Sequence, residues 1–319
     1  MALTAIPRLP KQLEEREAWY RTSLGLALAN GIPSHDTFGN VFRMLDTETF
    51  HQCFLRWMSA ADIALEGTTV NIDGKTLRRS HHRSKGIKAL HMVSAFACDY
   101  GLVLGQRRTE EKSNEITAIP ELLGMLYLKG CIVRIDAMGT QTEIVASIRQ
   151  KEADYLLPVK ASQPTLEHQV KECFAKAEAK QWRDIKHTTH RSVDGGHGRI
   201  ETRTCWAMPL PKAMAEQAER WKDLRSIAMI ESVREINGQA TLERRYYITS
   251  LPAEATVILG AARAHWGIEN QLHWRLDVQM NEDQCRVCGD GGENLAVIRH
   301  IALNQLRREN STKKSLRIK

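Results

Sequence analysis

Thr68-Thr-Val-Asn-Ile-Asp73-Gly74 and, further along, Cys131-Ile-Val-Arg-Ile-Asp136 read alike. Each is a short apolar run rich in β-branched residues, and each closes on an aspartate, so each predicts a buried strand ending at its carboxylate. Gly74 is expected to end the first strand, and Gly130 and Gly139 bound the second. Working outward, His91-Met-Val-Ser-Ala-Phe-Ala-Cys98 and Leu102-Val-Leu-Gly-Gln-Arg107 read as two strands joined by the turn Asp99-Tyr-Gly101. A helix is expected from Asn114 to Leu128 and another from Thr142 to Lys151. A strand follows over Asp154-Tyr-Leu-Leu-Pro-Val-Lys160, then a helix from Thr165 to Lys180. A three-strand meander followed by alternating helix and strand predicts an α/β fold, a mixed five-stranded sheet flanked by helices.

From Gln12 to Ser59 the spacing of Phe42, Leu45, Phe50, Phe54, Leu55 and Met58 predicts helices, with starts at Ser34-His-Asp-Thr37 and Asp46-Thr-Glu-Thr49. Residues 1–62 thus form a helical N-terminal region, and residues 63–310 the main domain. Within that domain the text from about 181 to 250 turns β-rich, as in Arg199-Ile-Glu-Thr-Arg-Thr-Cys-Trp206 and Arg244-Arg-Tyr-Tyr-Ile-Thr249. A long helix or helix pair resumes from Ala253 to Met280, and residues 311–319 are a basic tail. No apolar run approaches the ~20 residues of a membrane span. Met1–Pro10 lacks the order of a signal peptide, so a cytoplasmic protein without a membrane partner is expected.

Lysine and arginine number 45 against 38 aspartates and glutamates, a net charge of +7 that favours a polyanionic partner. Five of the seven cysteines are isolated, as free thiols in a reducing compartment would be. Cys285 and Cys288 are paired, but no second pair completes a zinc site, so they are read as incidental. Asp73-Gly-Lys-Thr76 resembles the end of a phosphate loop, yet that loop needs a glycine at position 69, which is Thr69.

For either aspartate alone, a strand-end Asx-turn is the commoner reading. Two of them on one expected sheet change the balance, because ligand sites gather at the carboxyl ends of such strands. A third carboxylate joins from the late helix. Ile258, Ala262, His265, Glu269, Leu272, Leu276 and Met280 share one face at steps of three and four, so Glu269 is expected among inward-facing residues. A buried, unpaired glutamate is costly. Either a metal ion or a neighbouring arginine or histidine would relieve it. Three carboxylates suit magnesium, which takes hard oxygen ligands, and a pair of such ions roughly 3.5–4 Å apart can activate a nucleophile and stabilise a leaving oxygen. A rival pattern lies on the same helix. His265, Glu269, His273 and Asp277 stand at four-residue steps, a ladder that zinc or iron would accept. It lacks the His-Glu-x-x-His order and a matching second helix.

The ordered motifs Asn-Ile-Asp73-Gly-Lys-Thr-Leu-Arg-Arg, Arg-Ile-Asp136-Ala-Met-Gly-Thr-Gln, Asp154-Tyr-Leu-Leu-Pro-Val-Lys and His265-Trp-Gly-Ile-Glu269-Asn resemble the DDE insertion-sequence transposases, in particular the H-repeat-associated group of bacteria. His273-Trp-Arg-Leu-Asp277-Val, Asn281-Glu-Asp283, His197-Gly-Arg-Ile-Glu-Thr-Arg203 and Arg299-His-Ile-Ala-Leu-Asn304 fit the same group. The resemblance runs from about Gly31 onward, and the N-terminal region reads as shortened against the group. It implies an RNase H-like core with the β-rich segment inserted before the glutamate helix. It assigns Asp73, Asp136 and Glu269 as the catalytic and metal-binding trio for two Mg²⁺ ions, with Mn²⁺ as a substitute. It implies nicking at the element's ends, then attack of the freed 3′-hydroxyl on target DNA. Double-stranded DNA, both terminal repeats and target, is therefore the expected partner; oligomeric state stays open, with a homodimer as the candidate. A catalytically inactive remnant that only binds DNA is the alternative.

The residues expected at DNA are Lys75, Arg78, Arg79, Lys160, His197, Arg199, His265, Trp266, Asn270 and His273. The basic group after Asp73, which also includes His81, His82, Arg83, Lys85 and Lys88, reads equally as a solvated loop. Trp266 and Trp274 suit stacking on a displaced base, although tryptophans more often pack into a core.

Overall fold

A computed structural model describes residues 16–309 and 311, apart from 24, 62, 83, 85, 110–114 and 197. The N-terminal helices are α1 (Glu17–Ser23), α2 (His35–Met44) and α3 (Thr47–Ser59). α2 and α3 start where the capping residues predict. Ser34 Oγ accepts from Thr37 N, and Asp46 accepts from Thr49 N. The meander follows as β1 (Thr69–Thr76), β2 (His91–Ala97) and β3 (Leu102–Thr109), then α4 (Glu115–Met125), β4 (Ile132–Arg134), α5 (Thr142–Gln150), β5 (Asp154–Val159) and α6 (Pro164–Ala179). Phe54, Phe96, Ile119, Leu122 and Phe174 pack between this sheet and its helices.

The β-rich segment changes the expected architecture. It supplies β6 (Thr188–Gly196), β7 (Arg199–Pro209), the short helix α7 (Ala215–Arg220), β8 (Ser226–Ile236) and β9 (Gln239–Thr249). β9 pairs antiparallel with β5, Leu156 opposite Thr249 and Val159 opposite Tyr246. The five-stranded sheet and the insertion are therefore one nine-stranded sheet, ordered β3-β2-β1-β4-β5-β9-β8-β7-β6 among the described residues. The reason is physical. An uncovered β5 edge would leave a row of unpaired backbone groups, and β9 satisfies them.

Two further differences concern elements that position the site. Gly74 does not end β1; the strand runs to Thr76, paired along β2. The expected helix over 253–280 is three pieces: α8 (Ala255–Gly267), a π-helical turn (Ile268–His273) and α9 (Trp274–Val278). A last helix, α10 (Gly289–Arg308), was not legible as such. Its fully buried Asn304 accepts from Val103 N at 2.9 Å and donates to Val103 O at 2.8 Å, closing the outer edge of β3. Among the described residues, no helix is long and apolar enough to cross a membrane.

Candidate active site

Side chains alternate across a strand. On β1, Asn71, Asp73 and Lys75 therefore share a face, and they meet the segment from α8 to α9. β1 and β4 run parallel, and their last pair is Asn71 with Arg134. Asp73 and Asp136 each lie two residues beyond that pair, so the parallel register brings both aspartates to one sheet edge. Asp136 Oδ1 accepts from Met138 N at 3.0 Å and Gly139 N at 3.1 Å, capping the single turn Ala137–Gly139. The Asx-turn reading is thus correct for one oxygen, and the other oxygen accepts no hydrogen bond among the described residues.

Glu269 departs from expectation. It is exposed, and Ile268 beside it is buried. A helical wheel assumes 3.6 residues per turn, whereas the chain is π-helical here: Trp274 N donates to Glu269 O, five residues back. Glu269 therefore pays no burial penalty, and no paired arginine or histidine is required to account for it.

The three carboxylates share a field nonetheless. Burial pushes Asp73 up to about 7; the Gly74 N–H opposes the rise, while Glu115, Asp136 and Glu269 add to it. The nearest basic group is His273, whose Nδ1 lies 3.6 Å from Asp73 Oδ2. Burial, then the Lys75 charge, lowers that imidazole to about 4, so it is neutral at pH 7 and offsets nothing. Among the described residues no lysine or arginine pairs with Asp73, Asp136 or Glu269. Also among the described residues, no three His, Cys, Asp or Glu side chains are gathered closely enough to hold a metal ion. The His265–Glu269–His273–Asp277 ladder does not converge either. The π turn breaks its four-residue spacing, and Asp277 is taken by Lys75 at 2.5 Å.

Most residues expected at DNA are on the surface, with corrections. Lys75 is not free for phosphate: its ammonium lies 2.5 Å from Asp277, 2.6 Å from Glu282 and 3.9 Å from Asp283. His273 is half-buried beside Asp73 rather than surface-facing, and His265 is half-buried and lowered to about 4, first by burial and then by Arg134. Arg78 is exposed but leans on Asp283 at 3.4 Å. Arg79, Lys160 and Asn270 are exposed, and Arg199 is exposed beside the β6–β7 turn. Trp266 and Trp274 stand half out of the surface, at 50% and 51%, instead of packing inward. His197, Arg83, Lys85 and the tail from 312 lie outside the described residues. Cys285 and Cys288 are free thiols.

Sequence reading missed two features. On the opposite face of β1, His91 Nε2 meets the buried Glu115 Oε1 at 2.6 Å, while His91 Nδ1 meets Thr76 Oγ1 at 2.7 Å. Only glycine fits over this pair: a Cβ at Gly74 would stand 2.3 Å from Glu115 Oε1. Beside Trp266 lies a cavity of about 240 Å³ lined by Arg203, Arg234, Arg245 and Arg263. These residues are scattered over β7, β8, β9 and α8, so no local motif marks them.

Four buried or half-buried histidines set a pH dependence. His51, His265 and His273 are lowered to about 4 and His300 to about 3, each first by burial. A depressed histidine is neutral when folded but binds a proton when unfolded below about 6.5, so its stability contribution is present above that pH and lost as pH falls toward 4. Asp73, raised, works the other way, contributing stability that declines as pH rises from about 4 to 7. Asp277 and Glu293, also raised by burial, act in the same sense as Asp73, and the four histidines outweigh these three carboxylates. The melting temperature is expected to fall steadily from pH 6.5 to 4.5, and His300→Asn, at the most buried of the four, should flatten that slope. A slope unchanged in the variant would remove His300 from the account.

Comparison with known proteins places this arrangement. Residues 58–305 match the family model described as Transposase DDE domain, and residues 5–58 match the model described as DDE_Tnp_1-associated. The chain belongs to the DDE-domain transposase family. It is 40% identical over 295 residues to the "H repeat-associated putative transposase YhhI" of Escherichia coli (strain K12), covering 91% of this chain and 77% of that one. It is 41% identical over 282 residues to the "Putative transposase YncI" of Escherichia coli O157:H7, covering 87% and 72%. The match to residues 5–58 reaches ahead of Gly31, where the sequence motifs begin. A piggyBac transposase synaptic complex with hairpin DNA aligns at a TM-score of 0.42 and 9% identity, over 79% of this chain and 50% of that one.

Proposed function

We propose that this transposase cuts the ends of an insertion-sequence element and joins them to target DNA, with Asp73, Asp136 and Glu269 as the carboxylates that hold its divalent metal. The observation carrying the reading is the shared field at the sheet edge: Asp73 is raised to about 7, first by burial and then by Glu115, Asp136 and Glu269, and among the described residues no lysine or arginine pairs with it. Hard carboxylate oxygens with spare lone pairs are the donor chemistry of Mg²⁺ or Mn²⁺. The fit is one of donor type and of uncompensated charge; the side chains as they stand are not a formed ion cage.

When bound, such ions lower the pKa of an attacking hydroxyl and neutralise the charge on the leaving oxygen. The chain's own residues do the rest. Asp136 is held rigid by its two backbone donors, which aim its free oxygen. Neutral His273 presses on Asp73 without supplying a competing positive charge. In the first step water attacks the phosphodiester, one P–O bond forms, another breaks, and a 3′-hydroxyl leaves. In the second, that hydroxyl attacks a target phosphodiester and expels a target 3′-hydroxyl. Exposed Arg79 and Lys160 are placed to meet backbone phosphates, as is Arg78 if it leaves Asp283, and Trp266 to stack on a base.

The test is a nicking assay on duplexes carrying the element's own ends, with Mg²⁺ and with a chelator. Strand-specific nicks that vanish on chelation are expected. Salt-sensitive binding with no nick under Mg²⁺ or Mn²⁺ would identify instead the DNA-binding remnant.

A further inference from the structure

The π-helical turn that carries Glu269 is fastened on both sides to the strand that carries Asp73. On the N-terminal side, the turn frees a carbonyl. Ile268 N–H goes to His265 O, three residues back, and not to Ala264 O. A carbonyl left unpaired in a buried place costs free energy. Asn71, fully buried on β1, supplies the shorter of two partners: its Nδ2 donates to Ala264 O at 2.6 Å, and the Cys98 thiol donates to the same oxygen at 3.4 Å. Arg134 on neighbouring β4 does the same for Ala262 O at 2.5 Å. On the C-terminal side, Lys75 grips Asp277 of α9, and Glu282 and Asp283 just beyond it. Glu282 is 2% exposed and Lys75 13%, so this tie is largely withdrawn from solvent and differs from a screened surface pair. Asn71 and Lys75 flank Asp73 at i−2 and i+2, on its own face. Their helix partners, Ala264 and Asp277, flank Glu269.

We propose that Asn71 and Lys75 are positioning residues that set the distance between Asp73 and Glu269, and thereby the strength with which the carboxylates take a divalent ion. The inference rests on the metal-site reading above. It also reassigns Lys75, expected from sequence to contact phosphate, to an internal role.

The discriminating measurement is Mn²⁺ affinity of the full chain, read by electron paramagnetic resonance without DNA, alongside the DNA dissociation constant. Electrostatics and positioning predict opposite signs for Lys75→Met. Removing a nearby positive charge would by itself tighten a cation; loosening the helix weakens it. We expect about a fivefold or greater weakening. Asn71→Ala changes no charge and is expected to weaken Mn²⁺ in the same direction, with DNA affinity within about twofold of wild type for both. Because Lys75→Met removes the partner of Asp277 and leaves the largely buried Glu282 with only Arg299 at 3.8 Å, it needs a melting curve; if it fails to fold, Asn71→Ala and Asp277→Asn, whose side chain is 30% exposed, decide the question. A merely structural defect lowers the bound fraction at saturation and leaves the dissociation constant of the folded protein unmoved. Mn²⁺ affinity unchanged or tighter in Asn71→Ala and Lys75→Met overturns the positioning role, as does a loss of DNA affinity alone in Lys75→Met. Wild-type protein that binds no Mn²⁺ sinks the metal-site reading itself, and the positioning role with it.

Discussion

Asp136→Asn is expected to lower metal-dependent nicking by about a thousandfold or more, because a metal-ion contribution is worth several kcal/mol and each ~1.4 kcal/mol is a factor of ten. The fold should be untouched. Asparagine keeps the Oδ1 that accepts from Met138 N and Gly139 N, and asparagine and aspartate cap equally well. The substitution removes one charge and leaves the turn Ala137–Gly139 in place. It should also relieve Asp73, which Asp136 helps to raise, so the variant is no less stable than wild type near neutral pH. Activity retained at more than a tenth of wild type, in a folded variant, would remove Asp136 from the machinery.

Gly74→Ala carries the largest expected effect on stability. Its Cβ would lie 2.3 Å from Glu115 Oε1 and 2.6 Å from His91 Nε2, the two partners of a buried pair. Both are side-chain ends, but His91 is 3% exposed and is also held by Thr76, so neither can swing aside cheaply. Overpacking costs roughly 1–3 kcal/mol, and breaking a buried pair roughly 3–5. A loss of about 3 kcal/mol or more in denaturant unfolding is expected. Gly124→Ala is the control. It lies in α4 with no atom within 4 Å of the added Cβ, so it should stabilise by up to about 1 kcal/mol. Equal effects from the two would mean that Gly74 serves no close approach.

How much of this was legible beforehand follows from how local each signal is. Asp73 and Asp136 were readable because strand period and chain breaks are local, and a parallel pair ending at Asn71 and Arg134 brings the two strand ends together. The helix starts at Ser34 and Asp46 were readable because a cap is a four-residue pattern. The exposure of Glu269 was not, because a wheel presumes α geometry and the π turn leaves no local pattern; the Asn71 side chain that holds Ala264 O beside it is far away in sequence. Lys75 looked like a phosphate ligand because its three acidic partners lie some two hundred residues away in sequence. The nine-stranded sheet escaped for the same reason. Pairing of β9 with β5 is long-range, and the period-2 text of an inserted hairpin does not say which edge it will cover.

The most direct measurement is an anomalous difference map from crystals of the full chain with Mn²⁺ and a duplex carrying the element's end. The account predicts Mn²⁺ peaks within about 2.0–2.4 Å of carboxylate oxygens of Asp73, Asp136 and Glu269, beside the scissile phosphate. Peaks confined to Asp277, Glu282 and Asp283, or DNA seated with no Mn²⁺ at the sheet edge, would contradict it.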